Sequence, residues 1–497
     1  MAADPQRPSG LVGCPSDILY LVFKLLSPAE FYSLSLVNKG FHAVTEPFLY
    51  ARIQWTWQVD AEPSSPPPLP QLVRTLLSRP QLATHITTVH LDGYRTDETA
   101  VCWKMPTLSV SDGELELDDT VAFIHRTRVP FSELWIQEVR RGSVDALVAV
   151  LLAQLSNLKQ LYLERDFTRQ STLLGMVLRV ALCQPQGGCN LPKFQHLQDV
   201  SYMIPEAQDE FRDRKMKNTA DILPFLYLPN LKHLSASVEN PAHFSWPAPC
   251  KPLAANLISL ELTDVREHYL AQLLSVTPSL RDLTWHWYYD HGVQDKFTTP
   301  IIHLDRFAAA LSSVQNTLMD LTITAHSDYA IGDIQFPAVT IEGTLDALVA
   351  FTSLRRLQVP WPLLVGLTAD TAGRLQDVVP RSLEHLTITD DLQPWSETAA
   401  YGNLPQWDWT GQTVLTVLEL WLSDTSCASY LPQRMTLLFG WVDTDYYGWD
   451  SWAPEMKSRL MELGAQAGVA CELIELDPER LVWYSSPAKA PNPRLVR

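Results

Sequence analysis

A short phrase with an aliphatic residue, nearly always leucine, at its first and fourth positions, and often its sixth, returns along most of this chain, and its recurrence limits the fold more than any other feature. The clear copies begin at Leu158, Leu231, Leu257, Leu280, Leu318, Leu354, Leu383 and Leu415, and weaker ones begin at Ile86 and Leu197. From Leu231 onward the starts are 26, 23, 38, 36, 29 and 32 residues apart. That spacing leaves room in each unit for one short strand and one returning helix, such as residues 144–155, 306–314 and 345–351. No single unit can bury both of its apolar faces. Stacked units can, with alternate residues of every strand turned inward to form one continuous core.

The composition agrees with a folded body of this kind. Of 497 residues, 46% are hydrophobic and 19% are charged, which is far from a disordered chain. Lysine and arginine number 38 against 56 aspartates and glutamates, a net charge of −18 that argues against bulk binding to nucleic acid or to an anionic membrane. Residues 1–10 are polar and proline-rich with no apolar core of a secretory leader, and no run of about 18 apolar residues occurs, so neither secretion nor a membrane span is expected. The seven cysteines are scattered and no Asn-x-Ser/Thr site occurs, which points to a reducing setting, cytoplasmic and/or nuclear.

The first fifty residues follow a different rule. After Pro15, the residues Ile18, Leu19, Val22, Phe23, Leu25 and Leu26 return at three- and four-residue spacing and predict a helix over 15–26. Ser27-Pro28-Ala29-Glu30 has a capping serine, proline at the first helical position and glutamate three residues beyond the cap, so a second helix starts there. Its residues Phe31, Leu34, Leu36 and Val37 lead through Asn38-Lys39-Gly40 to Phe41 and Val44, and Pro47 is expected to end any third helix. A unit this small does not bury so many large side chains by itself, so part of its apolar surface needs a partner, either another protein or the rest of this chain.

Pro15-Ser16-Asp17-Ile18-Leu19, then Val22 to Pro28, then Leu34-Ser35-Leu36-Val37-Asn38-Lys39-Gly40-Phe41-His42 resembles an F-box over residues 11–52. The resemblance implies a helical module that binds the Skp-family adaptor and, through it, the cullin and RING subunits of a ubiquitin ligase. Carried over by position, the adaptor-facing residues are Pro15, Ile18, Leu19, Leu26, Leu34, Val37 and Phe41. Two departures are Cys14 before Pro15, where leucine is usual, and Phe41 in place of a frequent tryptophan. The repeated phrase in turn is similar to degenerate leucine-rich repeats over residues 82–425, without the asparagine that usually follows each strand. The proline-rich, aromatic style is similar to that of fungal F-box proteins.

The implied fold class is α/β: a small all-α F-box followed by an irregular, horseshoe-like leucine-rich-repeat solenoid, with a mixed α/β domain as the alternative. The expected organisation is a disordered start (1–10), the helical module (11–52), a strand plus proline-rich linker (53–81), the repeat domain (82–482), which closes on a strand over 469–476, and a disordered tail (483–497).

No phosphate-binding glycine loop, nucleophile elbow or His-Glu-x-x-His phrase occurs, and no catalytic residue, metal or cofactor is assigned. Cys183 and Cys189 lack a second ligand pair at zinc spacing, and His286, Asp290 and His291 read as an aromatic loop rather than an acid/base set. Tryptophan and tyrosine cluster after the repeat strands, and because such residues often dominate interfaces, Trp285, Trp287, Tyr288, Trp407, Trp409, Trp441, Tyr447 and Trp449 are candidates for a target-binding surface. The functional expectation is the substrate-recognition subunit of a Skp-cullin-F-box ubiquitin ligase, non-catalytic itself and holding an unknown protein target. A repeat scaffold without ligase assembly is the alternative.

Overall fold

The computed structural model describes residues 14–58, 68–94, 108, 117–165, 167, 171–184, 188–203, 218–289, 297–327, 330–331, 334–335, 339–369, 373–392, 409–425, 430–440 and 452–476. Three helices come first, α1 (Ser16–Phe23), α2 (Pro28–Ser35) and α3 (Lys39–Ala51). The strands are β1 (Arg52–Gln58), β2 (Thr88–Tyr94), β3 (Gln160–Arg165), β4 (Asp199–Tyr202), β5 (His233–Ser237), β6 (Ser259–Thr263), β7 (Asp282–Tyr289), β8 (Ile301–His303), β9 (Asp320–Ser327), β10 (Ala330–Ile331), β11 (Ile334–Gln335), β12 (Thr340–Glu342), β13 (Arg356–Pro360), β14 (His385–Thr389), β15 (Arg434–Gly440) and β16 (Ala470–Leu476). Twelve of them make one parallel sheet in the order β1-β2-β3-β4-β5-β6-β7-β9-β13-β14-β15-β16. Each of the twelve therefore pairs with the next of the twelve along the chain, with β8 and β10–β12 set aside in two small two-stranded sheets, and helices or short 3-10 turns fill most connections, as parallel pairing requires.

The register explains the repeated phrase. Its fourth residue places Leu234, Leu260, Leu283, Leu321, Leu357 and Leu386 opposite one another across six strands, Met435 of β15 continues the row, and all of them are buried. Two residues on, Leu262, Trp285 and Ile323 form a second buried row. Because side chains alternate faces along a strand, one face of the sheet is aliphatic while the intervening positions are polar.

The chain divides into two compact units. The first, residues 1–97, 104–167 and 171–200, contains α1–α3, β1–β3 and a helix, Val144–Leu152, whose nine residues are all buried. Inside it the buried carboxylate of Asp145 accepts hydrogen bonds from the amides of Thr172 (3.1 Å), Leu173 (2.7 Å) and Leu174 (3.2 Å), closing the N-terminus of the helix Leu173–Cys183. Burial raises the pKa of Asp145, and these three donors oppose the rise. The second unit, residues 98–103, 168–170 and 201–497, carries β5–β16.

Four expectations change. Part of the expected proline-rich linker is a helix, Leu69–Ser78, that buries Leu69, Val73 and Leu76, because its apolar residues share one helical face. The phrase at Leu415 is not a strand but part of the helix Gly411–Leu422, capped reciprocally by Thr410 and Thr413. A Leu-x-x-Leu spacing fits one helical turn as well as a strand, and here Val414, Leu418, Trp421 and Leu422 extend the buried helical stripe. The strand of that region is β15, ahead of β16, which the sequence does mark. Residues 346–350 form a 3-10 turn rather than an α-helix. Finally, α3 runs through Pro47 to Ala51. Pro47 withholds an amide from the Ala43 carbonyl, and the packing of Phe48 and Leu49 against the module's core holds the last turn in spite of it.

Candidate functional site

The module formed by α1, α2 and α3 contains more apolar surface than its own core uses. Its caps follow from the sequence: Glu30 N donates to Ser27 Oγ (3.4 Å) and Ser27 N to Glu30 Oε2 (2.6 Å), with Pro28 at the first helical position, and Phe41 N donates to Asn38 Oδ1 (2.9 Å). The hydrogen bonds from Ser27 hold the Glu30 carboxylate below its ordinary pKa. Inside, Leu19, Phe23, Phe31 and Phe41 are buried, and Cys14, Leu26, Leu34, Val44, Phe48 and Leu49 pack against them. Four phenylalanine rings form the centre: Phe31 stacks on Phe48 at 5.1 Å, and Phe23 meets Phe48 at 6.1 Å and Phe31 and Phe41 at 6.4 Å. On the other side, α3 joins the body of the first unit through an ion pair between Glu46 and Arg79 and through the Ala51 carbonyl, which accepts from Thr87 N at 2.9 Å.

What remains outside is a second apolar stripe. Ile18, Leu21, Val22 and Leu25 fall at i, i+3, i+4 and i+7, about one third of a turn around from the inward set Leu19, Phe23 and Leu26, and all four are exposed, Leu25 by 86%. Tyr32, Leu36 (70% exposed) and Val37 continue the surface from α2. Together with Tyr20, these are eight of the fourteen exposed large apolar side chains among the described residues, gathered within twenty positions, which makes this patch the foremost candidate interface. The only basic side chain within α1 and its C-cap, Lys24, lies with its ammonium 4.7 Å from the centre of the Tyr20 ring.

The sequence-assigned adaptor residues thus divide. Pro15, Ile18 and Val37 are exposed, Leu26 and Leu34 are half-buried, and Leu19 and Phe41 are buried in the module's core. Leu21, Leu25, Tyr32 and Leu36, which the pattern reading passed over, lie on the open side. The signal for them was present: α1 is apolar on two adjacent sides, and a helix with one neighbour needs only one.

The aromatic candidates behave differently. Trp285, Trp287 and Tyr288 lie within β7, not in an insertion after it. Trp285 is fully buried, stacked on Phe307 at 4.3 Å, and its indole N–H donates to the Val265 carbonyl at 2.9 Å. Trp287 is buried beneath the Arg266 guanidinium at 4.3 Å, and Tyr288 is half-buried. Trp409 is buried too, edge-on to Trp361 at 5.2 Å, donating to the Gly366 carbonyl at 2.9 Å. These side chains are packing groups of the second unit, because a large ring following an inward position completes the core before it reaches solvent. Trp407, Trp441, Tyr447 and Trp449 lie outside the described residues.

His286 is buried, its Nδ1 2.7 Å from Thr324 Oγ1 and its Nε2 3.3 Å from Glu261 Oε1, while Ser235 donates to Glu261 Oε2 at 2.7 Å. Burial pushes the Glu261 pKa up, but the hydrogen bonds and charge of His286 and the Ser235 hydroxyl outweigh it and leave the carboxyl below its ordinary value. The network ties β5, β6, β7 and β9 together; Asp290 and His291 lie outside the described residues. Cys183 and Cys189 are half-buried thiols, and among the described residues no group of three or more histidine, cysteine or carboxylate side chains is placed to hold a metal ion. Among those residues, too, no helix is long and apolar enough to cross a membrane. The chain matches no protein-family model and no curated protein.

Proposed function

We propose that residues 14–51 form an F-box that docks on a Skp-family adaptor, and that the sheet body presents a protein target to the ubiquitin ligase assembled on that adaptor. The observation that supports this reading most is the exposed stripe Ile18, Leu21, Val22 and Leu25 with Leu36 and Val37, carried by a module whose own core is already complete. Covering one such aliphatic side chain contributes roughly 1.5–3 kcal/mol, so a helical partner seated on several of them is bound firmly without any charged contact. The contribution of this chain is positional: it raises the effective concentration of a target beside the ubiquitin-charged enzyme, and the repeated units behind the module are the target-holding body, in the manner of leucine-rich repeats. The test is reconstitution of purified full-length protein with the adaptor, cullin and RING subunits. Wild type is expected to co-purify with all three, and the Leu25→Asp/Val37→Asp double variant with none while its far-UV spectrum is unchanged. Failure of folded wild type to retain the adaptor overturns the reading and leaves a scaffold without ligase assembly.

A further inference from the structure

Three consecutive units of the second compact body begin with the same turn: Ser279-Leu280-Arg281 before β7, Thr317-Leu318-Met319 before β9 and Ser353-Leu354-Arg355 before β13. The leucines are buried, and the third residues are laced together by backbone bonds, Met319 N to the Arg281 carbonyl at 2.8 Å and Arg355 N to the Met319 carbonyl at 2.7 Å. This lacing fixes Arg281 and Arg355 two strands apart, about 10 Å by ordinary strand spacing, at the same edge of the sheet. Between them lies a depression of about 470 Å³ lined by the two arginines, Met319, Asn316 and the hydroxyl residues of the three turns, with no carboxylate in its wall.

We infer that this depression is a binding site for a phosphate group, either free phosphate or a small phosphate monoester. The inference goes beyond the adaptor reading and is independent of it. In a chain with a net charge of −18, a hollow whose lining holds two arginines and no carboxylate is an arrangement opposite to the protein's overall balance. Among the described residues Arg281 makes no side-chain ion pair or hydrogen bond, and the Ser279 hydroxyl and Asn316 amide are likewise uncommitted donors. The Ser353 and Thr317 hydroxyls donate to the carbonyls of Asn316 (2.9 Å) and Val314 (3.3 Å) and so shape the wall instead of contacting the ligand. Two neighbouring acids are engaged by arginines: Asp320 is held in a two-point contact by Arg356, and Glu384 Oε1 lies 3.4 Å from Arg355 Nη1, which also donates to the Ser382 carbonyl at 3.4 Å. Two guanidinium forks offer the planar, paired donors that phosphate oxygens accept best.

The test is calorimetric titration of the full-length protein with inorganic phosphate and, separately, with O-phosphoserine, against sodium chloride at matched ionic strength. Saturable binding by either probe is expected, and the stronger of the two identifies free phosphate or a monoester as the source. Arg281→Gln and Arg355→Gln should each weaken that binding tenfold or more with unchanged melting temperature, and Glu384→Gln should tighten it by releasing Arg355. Heats that match sodium chloride, or binding unaltered in Arg281→Gln, overturn the assignment.

Discussion

Two helices of the first compact unit, α1 and Val144–Leu152, are both almost wholly apolar, yet they end in opposite situations. The second is covered on every side, while α1 buries Leu19 and Phe23 and leaves Ile18, Leu21 and Val22 in solvent. The difference is one of neighbours, not of sequence. Residues 144–152 have packing on all sides, and Trp135 donates its indole N–H to the Ala146 carbonyl at 3.0 Å; α1 has α3 and the phenylalanine core on one side only. An apolar helix in the interior is spent on stability, and one with a completed core and an open stripe is available for association.

Substitutions sharpen this contrast. The largest effect is expected from Leu147→Asp, which places an unpaired charge in a fully buried helix; it should cost upward of about 4 kcal/mol and abolish the cooperative urea transition, whereas Leu25→Asp on the open stripe should leave that transition within about 0.5 kcal/mol of wild type. Phe23→Ala, at the meeting point of the aromatic rings, should cost about 3–5 kcal/mol and weaken adaptor binding only by loosening the module, so that both losses appear together in a melt and a titration. Asp145→Ala removes three hydrogen bonds from the start of the helix Leu173–Cys183 and should lower stability by about 2–3 kcal/mol in urea unfolding, with adaptor affinity unchanged.

A smaller effect separates the sheet from both helices through pH. In the first unit His90 Nε2 lies 3.3 Å from Glu164 Oε1, and this close pairing with the Glu164 carboxylate, assisted by the charge of Asp92, raises the His90 pKa against the opposing effect of burial. A raised histidine stabilises the folded state fully below its unfolded pKa of about 6.5, provided the glutamate is ionised, and the contribution is lost as pH rises through the folded value. The stability difference between wild type and His90→Gln, followed by urea midpoints, should therefore shrink from pH 6 toward pH 9, and a difference that grows over that range would contradict the assigned sign.

Most of the sheet was legible in the sequence because the repeated phrase couples two requirements, an inward leucine and a strand of fixed register, and Leu234 through Leu386 satisfy both. The phrase failed at Leu415, where the same spacing completes one turn of a helix, and nothing within four residues distinguishes the two. Pro47 misled for another reason: the local penalty is real, but the tertiary anchoring of Phe48 and Leu49 offsets it. For the candidate site, the existence of an apolar surplus over residues 14–51 could be read, and so could the caps at Ser27 and Asn38. Which residues were left outside could not, since periodicity says that Leu19 and Leu25 are apolar and only packing decides that one is 6% and the other 86% exposed. The tryptophans teach the converse. Abundance suggested a surface, but Trp285, Trp287 and Trp409 fill the body instead.

The most direct test of the open stripe is a calorimetric titration of purified Skp-family adaptor into the full-length protein, its Leu25→Asp/Leu36→Asp variant and its Leu147→Ala variant, each with a thermal melt beside it. Saturable binding by wild type, a loss of affinity of about a hundredfold or more in the stripe variant at unchanged melting temperature, and retained affinity in the destabilised Leu147→Ala protein are the predicted results. Equal affinity for wild type and the stripe variant, or no binding by folded wild type, would contradict the assignment of this surface to the adaptor.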